Sequence, residues 1–342
     1  MRRRQGSFLV GVVLLALLIV VMMISATMGY MKIPVAKIIS VLAHYAAGLG
    51  LNADPVVEGI VVDVRLPRII GAAFVGGALA VSGAVFQAIL RNPLADPYTL
   101  GISSGAAFGA SLVIVLQVFG LVLPAGISIP MFAFAGSIGT LMVVLGLANG
   151  DRRLSSTNLI LSGVIVAAIL SAAIGFLKFL ADEQVGIIIF WLMGSLSGIS
   201  WTNIIILLPV TCFGVGICLL YSRELNIMAT GERTAATLGI NTTRLRLFLL
   251  LTCSLMTAVS VAVSGIIGFV GLIVPHLLRH IIGPDNRGLI IFSALGGAIL
   301  LVVADTLTRA VLPSEVPIGV LTALIGGPVF CVIFKKRQHN GR

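Results

Sequence analysis

Charge is what this chain has least of. Of its 342 residues only 10% are charged, and the 12 Asp and Glu are outnumbered by 22 Lys and Arg. A soluble domain carries about 25%. With 58% hydrophobic residues and a mean hydropathy of +1.16, the sequence cannot clothe a water-facing surface, which excludes a soluble globular domain. The net charge of +10 does not signal nucleic acid, because the bases stand singly or in short clusters between apolar runs. The four cysteines (Cys212, Cys218, Cys253, Cys331) lie inside apolar stretches without C-x-x-C spacing, so neither a disulfide framework nor a metal knuckle is expected. There is no G-x-x-x-x-G-K-[ST] loop, no H-E-x-x-H and no G-x-S-x-G with triad partners. His276 and His280 have the i, i+4 spacing that could chelate a metal on one helical face, but no third ligand is near them, and a structural role is the reading. The chain is therefore expected to be no enzyme and to hold no nucleotide, metal or other cofactor.

What the chain has in quantity is apolar runs. A membrane span needs about 20 such residues. Runs of this kind occupy 8–29, 69–90, 99–119, 129–148, 158–180, 203–221, 246–264, 289–308 and 318–334, with a tenth at 266–282 interrupted by Pro275. The expected fold is all-α: a single polytopic membrane unit over 1–342, embedded in lipid, with about ten transmembrane helices. Residues 186–198 are apolar but too short to cross, and read as a re-entrant or interfacial piece. Arg2-Arg3-Arg4 before the first run resembles a signal peptide, but the run reaches about residue 30 and has no clear cleavage site. A retained first helix is the reading.

Basic residues orient the chain. With the N-terminus inside, all of the 22 bases except Lys32, Lys37, Arg65, Arg68, Lys178 and Arg309 fall on the inner side, and both termini are cytoplasmic. Residues 31–64 then lie outside, where Pro34 followed by Val35, Ile38, Ile39 and Leu42 predicts a short amphipathic helix. Residues 222–245 lie inside and predict a short helix ending near Gly239. Ala-Val-Ser-Gly occurs at 80–83 and again at 262–265, in spans of opposite direction, as an inverted repeat would require. Stretches such as "GAAFVGGALAVSGA" and "GISSGAAFGAS" supply small faces for close helix packing or for a wide passage.

The spans also lack ionisable residues near their centres. Asp305 and Lys178 are the deepest, both close to the outer end. A charge at mid-membrane costs about 2.5–3.5 kcal/mol on insertion scales, and an ion-coupled transporter needs one there. A secondary transporter working alone is thus disfavoured. If the chain moves a solute uphill, a partner supplies the energy.

Five stretches carry a resemblance: "RLPRIIGAAFVGGALAVSGAVFQAILRNPLADPYTLGISSGAAFG" (65–109), "FWLMGSLSG" (190–198), "LNIMATGERTAATLGI" (225–240), "SGIIGFVGLIVPHLLRHIIGPDNRG" (264–288) and "EVPIGVLTALIGGPVF" (315–330). Together they are similar, in order, to the FecCD family, the permeases of ABC importers for iron–siderophore complexes, haem and vitamin B12. The resemblance implies ten helices per subunit, with spans two to five related to seven to ten. It also implies a pore of two permease subunits (identical or paralogous), two cytosolic ATPase subunits and an extracytoplasmic solute-binding protein. Arg65, Arg68 and Arg309 match family arginines that dock acidic residues of the binding protein; guanidinium suits carboxylates and stays charged. On the residues alone, snorkelling to headgroups is the favoured reading. Residues 225–240 match the segment that couples to the ATPase, with Glu232, Arg233, Ala235, Ala236 and Gly239 as its marked positions. Asn92 and Leu94, in an N-P turn, match the inner gate together with a hydroxyl residue among Ser155, Ser156 and Thr157, of which Ser156 is favoured. Asn286 stands where many relatives carry His, and is read as a turn residue. The cargo implied is an iron chelate, with haem or cobalamin as alternatives.

Overall fold

The computed structural model describes residues 2–29, 31–47, 54–148, 154–310 and 315–340; the predicted inner bases Arg152, Arg153 and Arg342 lie outside them. Every regular element among the described residues is a helix. The chain begins with α1 (Arg2–Thr27) and α2 (Val35–Ala47). Next, α3 (Pro55–Gly59), a π-helical stretch (Ile60–Arg65) and α4 (Leu66–Ile89) run on without a break. A 3-10 turn (Pro97–Leu100) leads into α5 (Ile102–Val118), α6 (Ala125–Ala148), α7 (Ser156–Ala181), α8 (Val185–Leu192) and α9 (Trp201–Leu220). Two short helices, α10 (Ser222–Thr230) and α11 (Glu232–Thr237), precede α12 (Thr242–Ser264), α13 (Val270–Ile282), α14 (Asn286–Ala310) and α15 (Ile318–Asn340).

Each predicted apolar run falls on one of these helices. Among the described residues seven helical stretches are long and apolar enough to cross a membrane, while α5, α13 and the apolar part of α15 are shorter. The ends are called outer and inner below in the sense that the basic residues assign.

Two spans show opposite uses of apolar sequence. In α1 only 6% of the apolar window is buried, and Phe8, Leu9 and Ile19 face outward as lipid would demand. In the stretch containing α4, 83% of the window is buried. Small residues make that possible. A Cβ on Gly76 would lie 2.2 Å from the Gly297 carbonyl oxygen, so α4 and α14 meet backbone to backbone. Gly105 and Gly136 do the same for α5 and α6, with Cβ clashes of 2.3 and 2.1 Å. At these crossings the small faces serve close packing.

Several local expectations need correction. The second span begins well before residue 69, because its helix starts at Pro55 with Asp54 as N-cap. The buried stripe of α2 is Ile38, Val41 and half-buried Leu42; Val35 and Ile39 are exposed. Pro275 does not interrupt its helix. The break lies upstream, at Gly265 (φ +67°) and Phe269 (φ +68°), and α13 runs through the proline to Ile282. Pro275 cannot donate to the Gly271 carbonyl, and Gln87 Nε2 does so instead at 3.2 Å. Residues 222–245 hold two helices rather than one, parted by Gly231 (φ +137°). The short apolar piece is α8, set off from α7 at Asp182 (φ +48°). The two Ala-Val-Ser-Gly copies are not equivalent: Gly83 sits inside α4 against Gly271, whereas Gly265 ends α12.

Candidate functional site

The outer ends of α1, α4 and α14 converge on three arginines. Arg68, in the first turn of α4, donates from Nε to Asp305 Oδ1 and Oδ2 at 2.9 and 3.2 Å. Its Nη1 donates to Glu315 Oε1 and Oε2 at 3.1 and 3.3 Å. Arg309 lies one turn beyond Asp305 on α14, with Nε 3.3 Å from Asp305 Oδ2. It also donates to the Met28 carbonyl at 2.8 Å and to Ser25 Oγ at 2.7 Å. Arg65, at the end of the π-helical stretch, donates to the Ala26 and Met31 carbonyls. The Ala26 carbonyl is free because α1 ends at Thr27 and its last turn lacks intrahelical donors, and Met31 lies in the chain that follows. The chain can pass over both guanidinium groups because residue 29 is glycine at φ +152°; a Cβ there would lie 3.1 Å from Arg65 Nη2 and 3.3 Å from Arg309 Nη1.

This geometry refines the sequence reading. The three predicted arginines are brought together, but they are buried: Arg65 is 5% and Arg68 9% exposed. Arg65 and Arg309 tie the end of α1 to α4 and α14, and Arg68 ties α4 to α14. Asp305, the deepest acid in the sequence, is the carboxylate between Arg68 and Arg309, and is 1% exposed. Glu315 differs, since its side chain is 53% exposed. It borders a cavity of about 440 Å³ that is also lined by Ile187, Phe190 and Trp191 of α8.

The inner face is built on α10 and α11. Glu232 opens α11 and pairs with Arg246 of α12. Arg246 is 1% exposed and also donates to the Leu154 carbonyl at 2.7 Å, so it joins α11, α12 and the start of α7. Ala235 is fully buried. Of the predicted coupling positions, Glu232 and Ala235 therefore face the protein, while Arg233, Ala236 and Gly239 are exposed. Leu238 is 64% exposed beside them. Gly239 sits at φ +83°, where glycine turns the chain off the helix at no steric cost. At the other end of this face, Asn226 Oδ1 accepts from Asn286 N and Nδ2 at 2.8 and 2.9 Å, and Asn226 Nδ2 donates to Asp285 Oδ1 at 2.7 Å. Asn286 is thus a tie between α10 and α14.

At the gate positions, Asn92 Oδ1 accepts from Leu94 N at 3.0 Å, closing the N-P turn and leaving Leu94 39% exposed. Ser155 caps α7, accepting from Asn158 N at 3.3 Å, and Ser156 is the first helical residue. Asn92 and Leu94 share no hydrogen bond with Ser156. The chain following Asn92 nevertheless packs on α7, where a Cβ on Gly163 would lie 2.3 Å from the Thr99 carbonyl oxygen. Asp96 caps that 3-10 turn through Thr99 N at 3.0 Å. Burial pushes its carboxyl up to about 6, against the bonds from the Thr99 and Tyr98 backbone.

Sequence reasoning missed Glu315, Arg246, Leu238 and the Asn226–Asn286 tie. Lone charges bordering apolar runs were the available signal for the first two. Cys218 and Cys253, unrelated by spacing, lie 3.7 Å apart as free thiols. His276 and His280 approach at 3.3 Å through Nε2, and no group of three potential ligands occurs among the described residues.

Comparison with known proteins follows the same outline. The model of the FecCD transport family matches residues 17–336. The cobalamin import system permease protein BtuC of Halobacterium salinarum is 42% identical over 86% of this chain and 78% of its own. The hemin transport system permease protein HmuU of Yersinia pestis is 38% identical over 99% of both. Other relatives are named for import of molybdate and of Fe(3+) dicitrate. A solved inward-facing structure described as that of a metal-chelate type ABC transporter superposes with a TM-score of 0.82 at 33% identity, covering 95% of this chain and 98% of its own. The chain belongs to the FecCD transport family: it is the membrane-spanning permease of an ABC importer, works with a second permease subunit and a separate ATPase, and is not itself an enzyme.

Proposed function

We propose that the imported solute is an iron chelate of the siderophore type, handed over by an extracytoplasmic solute-binding protein. The observation that carries this reading is the likeness, over nearly the whole chain, to a transporter described as metal-chelate type. In this reading ten helices cross the plasma membrane and both termini are cytoplasmic. The arginine cluster of Arg65, Arg68 and Arg309 marks where the binding protein lands. The exposed side of α11, with Arg233, Ala236, Leu238 and Gly239, meets the ATPase; Glu232 and Ala235 hold that helix to the permease body. Asn92, Leu94 and Ser156 narrow the inner end of the path.

The chain's part in transport is mechanical. ATP-driven closure of the two ATPases moves α11. Arg246, on α12, passes that movement to the residue just before the cap of α7, because it bonds both Glu232 and the Leu154 carbonyl. A second reading, a cobalamin cargo, is favoured by the 42% identity to a permease named for it. The assembled transporter in proteoliposomes distinguishes them. Uptake of radiolabelled ferric siderophore that excess cobalamin does not compete supports the first reading. Uptake of cobalamin with none of ferric siderophore supports the second.

A further inference from the structure

Arg68 is held unequally on its two sides. Its Nε edge faces Asp305, which is 1% exposed and shared with Arg309. Its outer edge faces Glu315, which is 53% exposed. Both Glu315 oxygens fall on the same nitrogen, Nη1, at 3.1 and 3.3 Å, and Nη2 makes no hydrogen bond among the described residues. That is a poor use of a guanidinium edge. A carboxylate spanning Nη1 and Nη2 makes two parallel charge-assisted bonds and displaces one that holds Nη1 alone. Arg65 and Arg309 offer no such opening, since backbone carbonyls take their Nη groups.

From this we propose that Glu315 is a resident placeholder on Arg68, and that an acidic side chain of the incoming binding protein takes its position there. The proposal rests on the docking reading given above and specifies its exchange step. Asp305 stays in place, so the buried charge is never uncompensated. The exchange also has a consequence inside the permease. Glu315 stands three residues before Ile318, whose N–H donates to the Gly194 carbonyl at 3.2 Å, while Gly319 N donates to Met193 at 3.0 Å. Ser195 N in turn donates to the Ser264 carbonyl at 2.8 Å. Freeing Glu315 therefore removes the side-chain tie of the residues leading into α15, next to where α15 meets the turn after α8 and beside the 440 Å³ cavity, while these backbone bonds hold the helix start.

The test is a double-mutant cycle of Arg68→Lys and Glu315→Gln. It uses the assembled transporter in nanodiscs, and the probe is that transporter's own solute-binding protein, with affinity read by biolayer interferometry. Glu315→Gln should tighten docking about threefold, the scale of a half-exposed ion pair, and Arg68→Lys should abolish that gain. Glu183→Gln, another acid at the outer end but without an ion pair to Arg68, should leave affinity unchanged. An equal gain from Glu183→Gln, or a Glu315→Gln gain that survives in the Arg68→Lys background, overturns the proposal by making the effect one of general charge. If Arg68→Lys weakens docking and Glu315→Gln does nothing, the placeholder is overturned and the docking reading stands. If neither changes docking, the docking reading itself falls. Arg68→Lys retains the charge beside Asp305, so the variant keeps the buried pair needed for folding.

Discussion

Asp305 and Glu315 bond the same arginine, yet their removal should have different outcomes. Asp305 is nearly inaccessible and compensates Arg68 and Arg309 together. Asp305→Asn leaves two buried guanidinium groups short of a counter-charge, and breaking a buried pair costs about 3–5 kcal/mol. Thermal unfolding of the purified permease should show a large loss of stability, or the variant should fail to accumulate. Glu315→Gln should cost less than about 1 kcal/mol, because a half-exposed pair is largely screened. Asp96 supplies a pH test. Its folded-state value is raised to about 6 from an ordinary 3.8, so the folded chain holds a proton that the unfolded chain has lost between these values. Stability from this group should therefore fall as pH rises from about 4 to 6 and level off above. Asn keeps the oxygen that caps Thr99 and removes the charge. Asp96→Asn should match the parent near pH 4 and exceed it at pH 7, by an amount of order 1–3 kcal/mol. Equal stability at both pH values would contradict the burial argument.

For the elements, α11 separates two kinds of residue that its sequence does not. Leu238 and Arg233 face outward, whereas Ala235 is buried and Glu232 turns back to Arg246. Leu238→Glu should leave the melting temperature of the permease unchanged and lower substrate-stimulated ATP hydrolysis about tenfold or more in the assembled transporter. Arg246→Ala should instead lower stability by about 2–5 kcal/mol, since it strands Glu232 and the Leu154 carbonyl. A melting shift from Leu238→Glu would place that side chain in the fold. The existence of the helices was legible in the runs of apolar residues, and the crossing sites in the glycines. The faces were not. Which side of α2 is buried, or which of Glu232 and Arg233 points inward, depends on neighbours distant in sequence. Pro275 shows the same limit. It was read as a break, but Gln87, from another helix, meets the carbonyl it leaves open.

Over the whole molecule, the two ends repeat one device. At the outer end Arg68, in the first turn of α4, is clamped to Asp305 and Glu315; at the inner end Arg246, in the first turns of α12, is clamped to Glu232. These helices open the two halves that the expected inverted repeat would relate, while the Ala-Val-Ser-Gly copies fall at different places in them, Gly83 inside α4 and Gly265 at the end of α12. The convergence of Arg65, Arg68 and Arg309 was legible only through family resemblance. Their burial was not, because the groups that hold them, carbonyls at and after the end of α1 for Arg65 and Arg309 and the Asp305 and Glu315 carboxylates for Arg68, lie far away in sequence or in loops. The sequence has no nucleotide loop and its deepest acid is committed to a structural pair, in keeping with a separate ATPase as the source of transport energy. The most direct measurement is uptake of labelled ferric siderophore into proteoliposomes containing the complete transporter. ATP is enclosed with the ATPases, and the binding protein is added on the opposite side. Uptake should require both ATP and the binding protein, and should persist when ion gradients are collapsed with ionophores. Uptake without ATP, driven by an ion gradient, would contradict the account.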